Sequence, residues 1–383
     1  MWYSFRVRIL VDYRPALRER TGVGEFVHEM SRALCEAATP PSPDEIVLFS
    51  SSWKDRPAQA LASEMPAARI VDRYVPVRAL AWSWNRLEWP PVEWLAGDCD
   101  VVHSQSPLLI PARRAAQVVT IHDLDFLAYA DQAAGEIRRD YPGLARSHAA
   151  RADGVIVSSQ YAAGEVTREL GVAPARVHRC PPGAPAWAAA VARRQAASRG
   201  RRILFMGTLA PRKNIATLLD AYALLRERVP GAPPLTLAGH STPASAPWEA
   251  RARVAPLAGH VDITGYVDQA RRIALYSDAR MLVLPSYEEG FGLPVLEAMA
   301  CGIPVVVSSR GSLPEVAGAA AEPVDPGDVA GLASRMAALL DDQRAGAAAR
   351  RGLEQASRYT WAACARAARA AYAAALEIHA HRR

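Results

Sequence analysis

The sequence predicts an α/β protein built from two Rossmann-like domains that face each other across an interdomain cleft. Three observations carry that prediction. A chain of 383 residues exceeds one ordinary hydrophobic core, at roughly 100–200 residues per domain. Short β-branched runs alternate with segments of helical periodicity, the pattern of a parallel sheet with crossover helices. The alternation breaks at Pro181-Pro182-Gly183 and restarts at Arg202. Both halves place polar residues at strand ends, where open parallel sheets bind ligands.

In the first half, residues 6–13 (RVRILVDY) read as an opening strand and 23–37 as a helix. Between them, RERTGVGEF carries Gly22 and Gly24, placed where the backbone could pass close to a diphosphate at a helix N-terminus. It is not a dinucleotide fingerprint, because Val27 stands where the third glycine belongs; an ordinary strand–helix turn also accounts for two such glycines. Further strands are expected at 45–51, 69–76, 100–103, 117–121 and 154–158. His122-Asp123 follows the fourth of these, so His122 either contacts a ligand or hydrogen-bonds a loop carbonyl. AWSWNRLEWPPVEWL concentrates Trp82, Trp84, Trp89 and Trp94. Their apolar faces and polar N–H groups suit a sugar or lipid-linked acceptor, with core packing expected for two or three of the four. The stretch from Pro181 to Arg202 has the composition of a linker.

The second half opens with a strand at Arg202–Met206, the loop GTLAPRKN at 207–214, and a helix at Ile215–Arg228 with Asn214 as N-cap. Arg212 and Lys213 stand at that helix start. Two cations there oppose the helix dipole, unless together with the helix N–H groups they bind a phosphate. Strands at Leu235–Ala238 and 261–264 lead to TGYVD, whose Tyr266 either lies along a ligand or packs inward. Then comes SYEEGFGLPVLEAMACGIPVVVSS, residues 286–309, between the apolar runs 281–284 and Val305–Val307. It reads as strand, glycine loop, helix over 294–301, and strand; Pro294 suits the first helical position and Gly302 a left-handed exit. The loop therefore ends at a helix N-terminus, which favours anions. Glu289 and Glu297 can each accept two hydroxyl hydrogen bonds, and Gly290 and Gly292 let a ligand approach closely. The alternative is that Glu297 complements the dipole and Glu289 is a solvated loop residue.

The string EEGFGLPVLEAMACGIPVV strongly resembles the donor-sugar motif of the family-four retaining glycosyltransferases, the glycosyl transferases group 1 of GT-B fold. GTLAPRKN, TGYVD, GSLPEVAG and EPVDPGD resemble the same family, as do, more loosely, TGVGEF, the HD of VVTIHDLDF and the DVVHS region. The resemblance implies an acceptor-binding domain at 1–185, a donor-binding domain at 186–358, and a final helix at 359–383 crossing back to the first domain. It assigns Glu289 to hydroxyls of the transferred sugar, Glu297 to the ribose, His122 to a place beside that sugar, and Arg212 and Lys213 to the leaving diphosphate. Gly22, Gly24, Gly207, Tyr266, Val267, Gly290, Phe291, Gly292 and Leu293 complete the donor site by resemblance. Many members carry an arginine directly after the first glycine of the GTLAPRKN-type loop; Thr208 stands there in this chain, leaving Arg212 as the candidate replacement. GTLAPRKN and TGVGEF are similar to a mannosyltransferase-rich branch, which implies GDP-mannose as donor and metal-independent, retaining hexosyl transfer, as in cell-surface polysaccharide or glycolipid assembly. A non-hydrolysing nucleotide-sugar epimerase and a sugar-nucleotide binding module of the same fold are the alternatives.

Composition narrows the remaining classes. No run approaches the ~20 apolar residues of a membrane span and the start lacks a signal-peptide core, so a cytoplasmic location is expected, with any membrane contact weak and peripheral at the inner face. Five scattered cysteines predict reduced thiols and no structural zinc. The formal charge of +6 sits in residues 191–383, with 24 basic against 17 acidic side chains, and reads as a solvated surface. Nucleic acid is not expected as a partner, since zinc-finger spacing and RNA-binding aromatic signatures are missing. A serine hydrolase is not expected, because GHSTP lacks the closing glycine of a nucleophile elbow. Asp123-Leu124-Asp125 has metal–sugar spacing but falls in the HD loop; no metal or cofactor is expected beyond the nucleotide-diphosphate sugar as co-substrate.

Overall fold

The computed structural model describes residues 6–17, 20, 22–38, 44–128, 137–197 and 200–382. The chain divides into two compact units, Met1–Gly183 with Thr360–Arg383, and Ala184–Tyr359.

Among the described residues the first unit holds a parallel sheet of seven strands: β1 (Arg8–Asp12), β2 (Glu45–Ser51), β3 (Ala68–Arg73), β4 (Val101–Ser104), β5 (Ala116–Thr120), β6 (Gly154–Val157) and β7 (Val177–Arg179), in the order β3-β2-β1-β4-β5-β6-β7. Strands such as VVHS and GVIV are buried at every position. That is why they read as continuous apolar runs rather than as alternating ones: helices cover both faces. The expected strand over 69–76 is shorter, because Pro76 already caps helix α1 of the tryptophan segment (Val77–Leu87). The three-residue edge strand β7 was not anticipated, being too short to show a period. On one face the helix Gly22–Ala37 packs against the last helix, Trp361–Arg382, with Phe26, Met30 and Leu34 in one core with Ala365, Ala368 and Tyr372. Tyr372 Oη also reaches His103 Nδ1 at 2.8 Å, and His103 Nε2 reaches Thr120 Oγ1 at 2.7 Å, tying that helix to β4 and β5.

The second unit has β8 (Arg202–Met206), β9 (Leu235–Ala238), β10 (Val261–Gly265), β11 (Ala279–Leu284) and β12 (Val305–Val307), all parallel, in the order β10-β9-β8-β11-β12. The stretch that reads as a linker is largely the helix Ala188–Ala197 of this unit. Its alanine content favours a helix, and it buries Val191 and Gln195; Gln195 Nε2 donates to the carbonyls of Tyr276 at 3.0 Å and Ala279 at 2.9 Å. Asn214 precedes the helix Ile215–Arg228 as expected but makes no side-chain cap. At φ 57° it is left-handed, and its Nδ2 donates instead to the carbonyls of Pro285 (3.1 Å) and Pro326 (2.7 Å). The helix expected at 294–301 runs Leu293–Ala300, with Cys301 as C-cap and Gly302 left-handed after it.

Strand order reverses between β1 and β4 in one sheet and between β8 and β11 in the other, and crevices form beyond the strand ends at such points. Among the described residues, no helix is long and apolar enough to cross a membrane.

Candidate active site

At the reversal in the second unit, the loops after β8 and β11 are joined by charge. Lys213 and Glu289 are both 6 % exposed, and Lys213 Nζ donates directly to Glu289 Oε1. Ser286 Oγ donates to the same oxygen at 2.7 Å. Arg212 reaches Oε2 at 3.3 Å and the Glu288 carbonyl at 3.2 Å, and the Tyr287 N–H donates to the Arg212 carbonyl at 2.8 Å. Burial by itself would raise the Glu289 pKa; the charges of Lys213 and Arg212, with hydrogen bonds from Lys213 and Ser286, outweigh it and hold the carboxyl below its ordinary value. The two cations that oppose a helix dipole on sequence therefore have a buried carboxylate as partner. Glu289 is fixed from below as well, since Ser312 donates its N–H and Oγ to the Glu289 carbonyl at 3.1 and 2.9 Å.

Glu297, on the helix Leu293–Ala300, is 2 % exposed. Arg272, from the helix Gln269–Ser277, forks onto it, with Nη2 on Oε1 and Nε on Oε2, the latter at 3.2 Å, while Tyr276 Oη donates to Oε2 at 2.7 Å. Neither glutamate is a solvated residue. Arg272 and Tyr276 had no motif to announce them, Arg272 lying 25 residues before its partner, and Ser286 opens the SYEEGFG stretch without being singled out there.

The other donor-site residues divide by side chain. Tyr266 does not pack inward: it is 36 % exposed and stacked on His240, ring centroids 4.9 Å apart at 24°. The Phe291 ring goes into the core, edge-on to Tyr359 at 5.5 Å, and Val267 also packs against that core, which leaves their backbones to line a site. Gly290 is buried and Leu293 half-buried at the helix start. The Lys213 stem lies over Gly207, 3.5 Å from where a Cβ would stand. Gly292 caps the helix at φ 90°, and a Cβ there would meet Leu313 at 2.6 Å.

In the first unit, His122 follows β5, half-buried and edge-on to Phe26 at 5.1 Å; Phe26 in turn lies 5.9 Å from Trp361. Its Nε2 is buried without a hydrogen-bond partner among the described residues, an arrangement that native structures seldom leave unexplained. Burial pushes its pKa down to about 4 against an opposing pull from Asp123, so the ring is neutral at pH 7. Gly22 and Gly24 do not form a loop ahead of the helix; they lie in its first turn, with Gly24 buried. Sequence reading also passed over the end of β1. There His28 Nε2 meets an Arg20 N–H at 3.1 Å, and since arginine only donates, the Nδ1 proton goes to Tyr13 Oη at 2.7 Å. Burial, aided by Arg20 and Arg32, lowers the His28 pKa to about 4. Of the four clustered tryptophans only Trp84 is in the core, at 3 % exposure; Trp82, Trp89 and Trp94 are exposed, which reverses the expectation that most of them pack inward.

Comparison with known proteins accords with this architecture. Residues 191–358 match the family model Glycosyl transferases group 1, and residues 20–186 match Glycosyltransferase Family 4. The O-antigen chain mannosyltransferase B of Escherichia coli is 42 % identical over 163 residues, a match spanning 42 % of this chain and 42 % of that protein. A glycogen synthase of Mycobacterium tuberculosis (strain H37Rv) is 29 % identical over 92 % of this chain and 91 % of its own. The sucrose-phosphate synthase structure from Thermosynechococcus elongatus superposes with a TM-score of 0.73 at 22 % identity, covering 96 % of this chain and 98 % of that one. The fold is GT-B, and the chain belongs to the group 1 glycosyltransferases of family four.

Proposed function

We propose that the chain moves a mannosyl group from GDP-mannose to the hydroxyl of a sugar or lipid-linked acceptor, with retention of configuration and without a metal ion. The observation that carries the reading is the buried Lys213–Glu289 pair bridging the loops after β8 and β11 at the strand-order reversal. In the reaction the bond between the anomeric carbon and the diphosphate oxygen breaks and the acceptor oxygen bonds to that carbon, its proton passing to the departing phosphate. Arg212, Lys213 and the N–H groups opening the helix Leu293–Ala300 stabilise the charge that develops on the diphosphate. Glu289 accepts hydroxyls of the transferred sugar. Its Oε2, held by Arg212 at 3.3 Å, is the looser of its two oxygens, since a tight charge-assisted bond measures about 2.7–2.9 Å. Glu297 takes the ribose with Arg272 fixing its orientation, and neutral His122 offers Nε2 to the sugar. The names of the Escherichia coli relatives, mannosyltransferase B and the serotype-specific mannosyltransferase WbdA, support mannose as the transferred sugar.

The test is a thermal-shift panel of GDP-, UDP- and ADP-sugars in EDTA, because a ligand bound to the native state raises the melting temperature by mass action. GDP-mannose is expected to give the largest shift; selective stabilisation by a UDP- or ADP-sugar would overturn the donor assignment. Incubation with donor alone should leave the sugar's configuration at every carbon but the anomeric one untouched, and an epimerised product would make the chain an epimerase.

A further inference from the structure

The tryptophan segment contains a residue whose conformation packing does not account for. Glu88, directly after helix α1 (Val77–Leu87), is left-handed at φ 48°, a helix-end position usually taken by glycine or asparagine. Its Oε1 accepts from Arg151 Nη2 at 2.6 Å. Both side chains are about half exposed, and a pair so exposed adds little stability. Backbone strain of this kind clusters at ligand-binding sites.

Glu88 and Arg151 border a cavity of about 100 Å³ in the first unit, walled on its apolar side by Trp84, Leu109 and Pro111. Two further polar side chains line it, His148 and Gln117. His148, on the helix Ile137–Arg151, is 3 % exposed. The Leu109 N–H donates to its Nδ1 at 2.9 Å, so the ring is neutral and carries its proton on Nε2. Among the described residues that Nε2–H meets no acceptor, and buried donors are seldom left unused. Gln117 Nε2 donates to the Ile110 carbonyl at 2.7 Å, which leaves its Oε1 as an acceptor. Gln117 is the second residue of β5, whereas His122 follows that strand's other end. Five residues of strand separate them, roughly 16 Å, so the cavity is not part of the site around His122.

The lining carries no net charge: one carboxylate balances one guanidinium, and the histidine is neutral. Nothing in it selects a cation or an anion. Donors on His148 and Arg151 stand among acceptors on Glu88 and Gln117, and each hydroxyl of a sugar is donor and acceptor at once. A few convergent polar groups over an apolar wall are the composition of a small-molecule site. At about 10–15 Å³ for one water, the cavity has room for the several waters that one sugar ring displaces. We infer that it binds a single neutral hexose ring, held by Glu88, Arg151, His148 and Gln117, apart from the transfer centre. The inference does not rest on the donor assignment.

The experiment is saturation-transfer NMR of the full chain with methyl α-D-mannopyranoside and methyl α-D-glucopyranoside. At least one should bind saturably, at about millimolar strength. Glu88→Gly and Arg151→Met should each weaken that binding about tenfold or more, the scale of a lost hydrogen bond to a charged group. Glu88→Gly should keep or raise the melting temperature, because glycine suits the left-handed backbone, so its loss of binding cannot come from misfolding. Glu289→Gln should bind the hexoside as the unmodified chain does. Inorganic phosphate should not displace it. A linear tetrasaccharide of the tighter-binding hexose separates the two sources of such a ring: binding as tight as the single ring means a residue of a glycan chain, weaker binding a free monosaccharide, and both bear the inference out. Absence of saturable binding to either hexoside, or undiminished binding by Glu88→Gly, would overturn it. So would loss of binding in Glu289→Gln alone, which would place the hexoside in the transfer site, or displacement by phosphate, which would make the cavity an anion site.

Discussion

Glu289 and Lys213 hold opposite charges in a place where neither is stable alone. Removing one partner of a buried pair strands the other, at a cost of about 3–5 kcal/mol, so Glu289→Ala should melt well below Glu289→Gln. Both Glu289→Gln and Lys213→Ala should lose at least ~100-fold in turnover, the scale of a lost transition-state contact; near-normal rates in folded variants would remove the pair from the site. The sequence showed both residues through their motifs, but not that they touch, because 76 positions separate them. For the same reason the Arg272 fork on Glu297 and the Tyr13–His28 bond were invisible. A second outcome follows from histidines held as neutral rings, among them His28, His103 and His122, whose pKa values burial lowers to about 4, 3 and 4. Below the ordinary histidine value of about 6.5, the unfolded chain binds protons that the native chain refuses. Stability should therefore be full above about pH 6.5 and fall steadily toward pH 4. Denaturant midpoints measured between pH 7.5 and 4.5 check this, and a flat profile would contradict it.

At the scale of the element, most strands were legible to within a few residues because their β-branched runs are largely buried, those of β3, β7 and β10 less so. The exceptions have physical causes. The helix Ala188–Ala197 looked like a linker because alanine and arginine carry little hydrophobic period, and Asn214 looked like a cap because a left-handed backbone cannot be read from residue type. Gly311 shows what a loop can conceal. It has φ 62°, and a Cβ there would stand 2.8 Å from the Glu289 N–H nitrogen. Gly231 also has a positive φ, 81°, but open space around it. Gly311→Ala should thus weaken donor binding and lower stability by about 1–3 kcal/mol or more, whereas Gly231→Ala should cost only the backbone strain, about 1 kcal/mol, and leave donor affinity intact. Equal effects of the two substitutions, read by melting and by donor titration, would refute the role given to the Glu289 loop.

At the scale of the whole molecule, the two units are not two halves of the sequence, because Thr360–Arg383 is part of the first. The helix Trp361–Arg382 buries Cys364, Ala365, Ala368, Ala371, Tyr372 and Ala375 there. A chain truncated after Tyr359 should expose that core and lose the first unit's cooperative unfolding transition; an unchanged transition would show that the helix is dispensable. The alternation of strand and helix made the two sheets legible, while the tryptophan segment's exposure was not, since a helix with apolar residues on several faces does not declare which one is buried. The central claim is that Lys213, Arg212 and Glu289 form the donor site of a nucleotide-sugar transferase. It is tested most directly by calorimetric titration of GDP-mannose, in EDTA, into the unmodified chain and into folded Glu289→Gln and Lys213→Ala variants. The account predicts saturable binding by the unmodified chain that weakens at least tenfold in each variant; binding of equal strength in all three, or none by the unmodified chain to any nucleotide sugar, would contradict it.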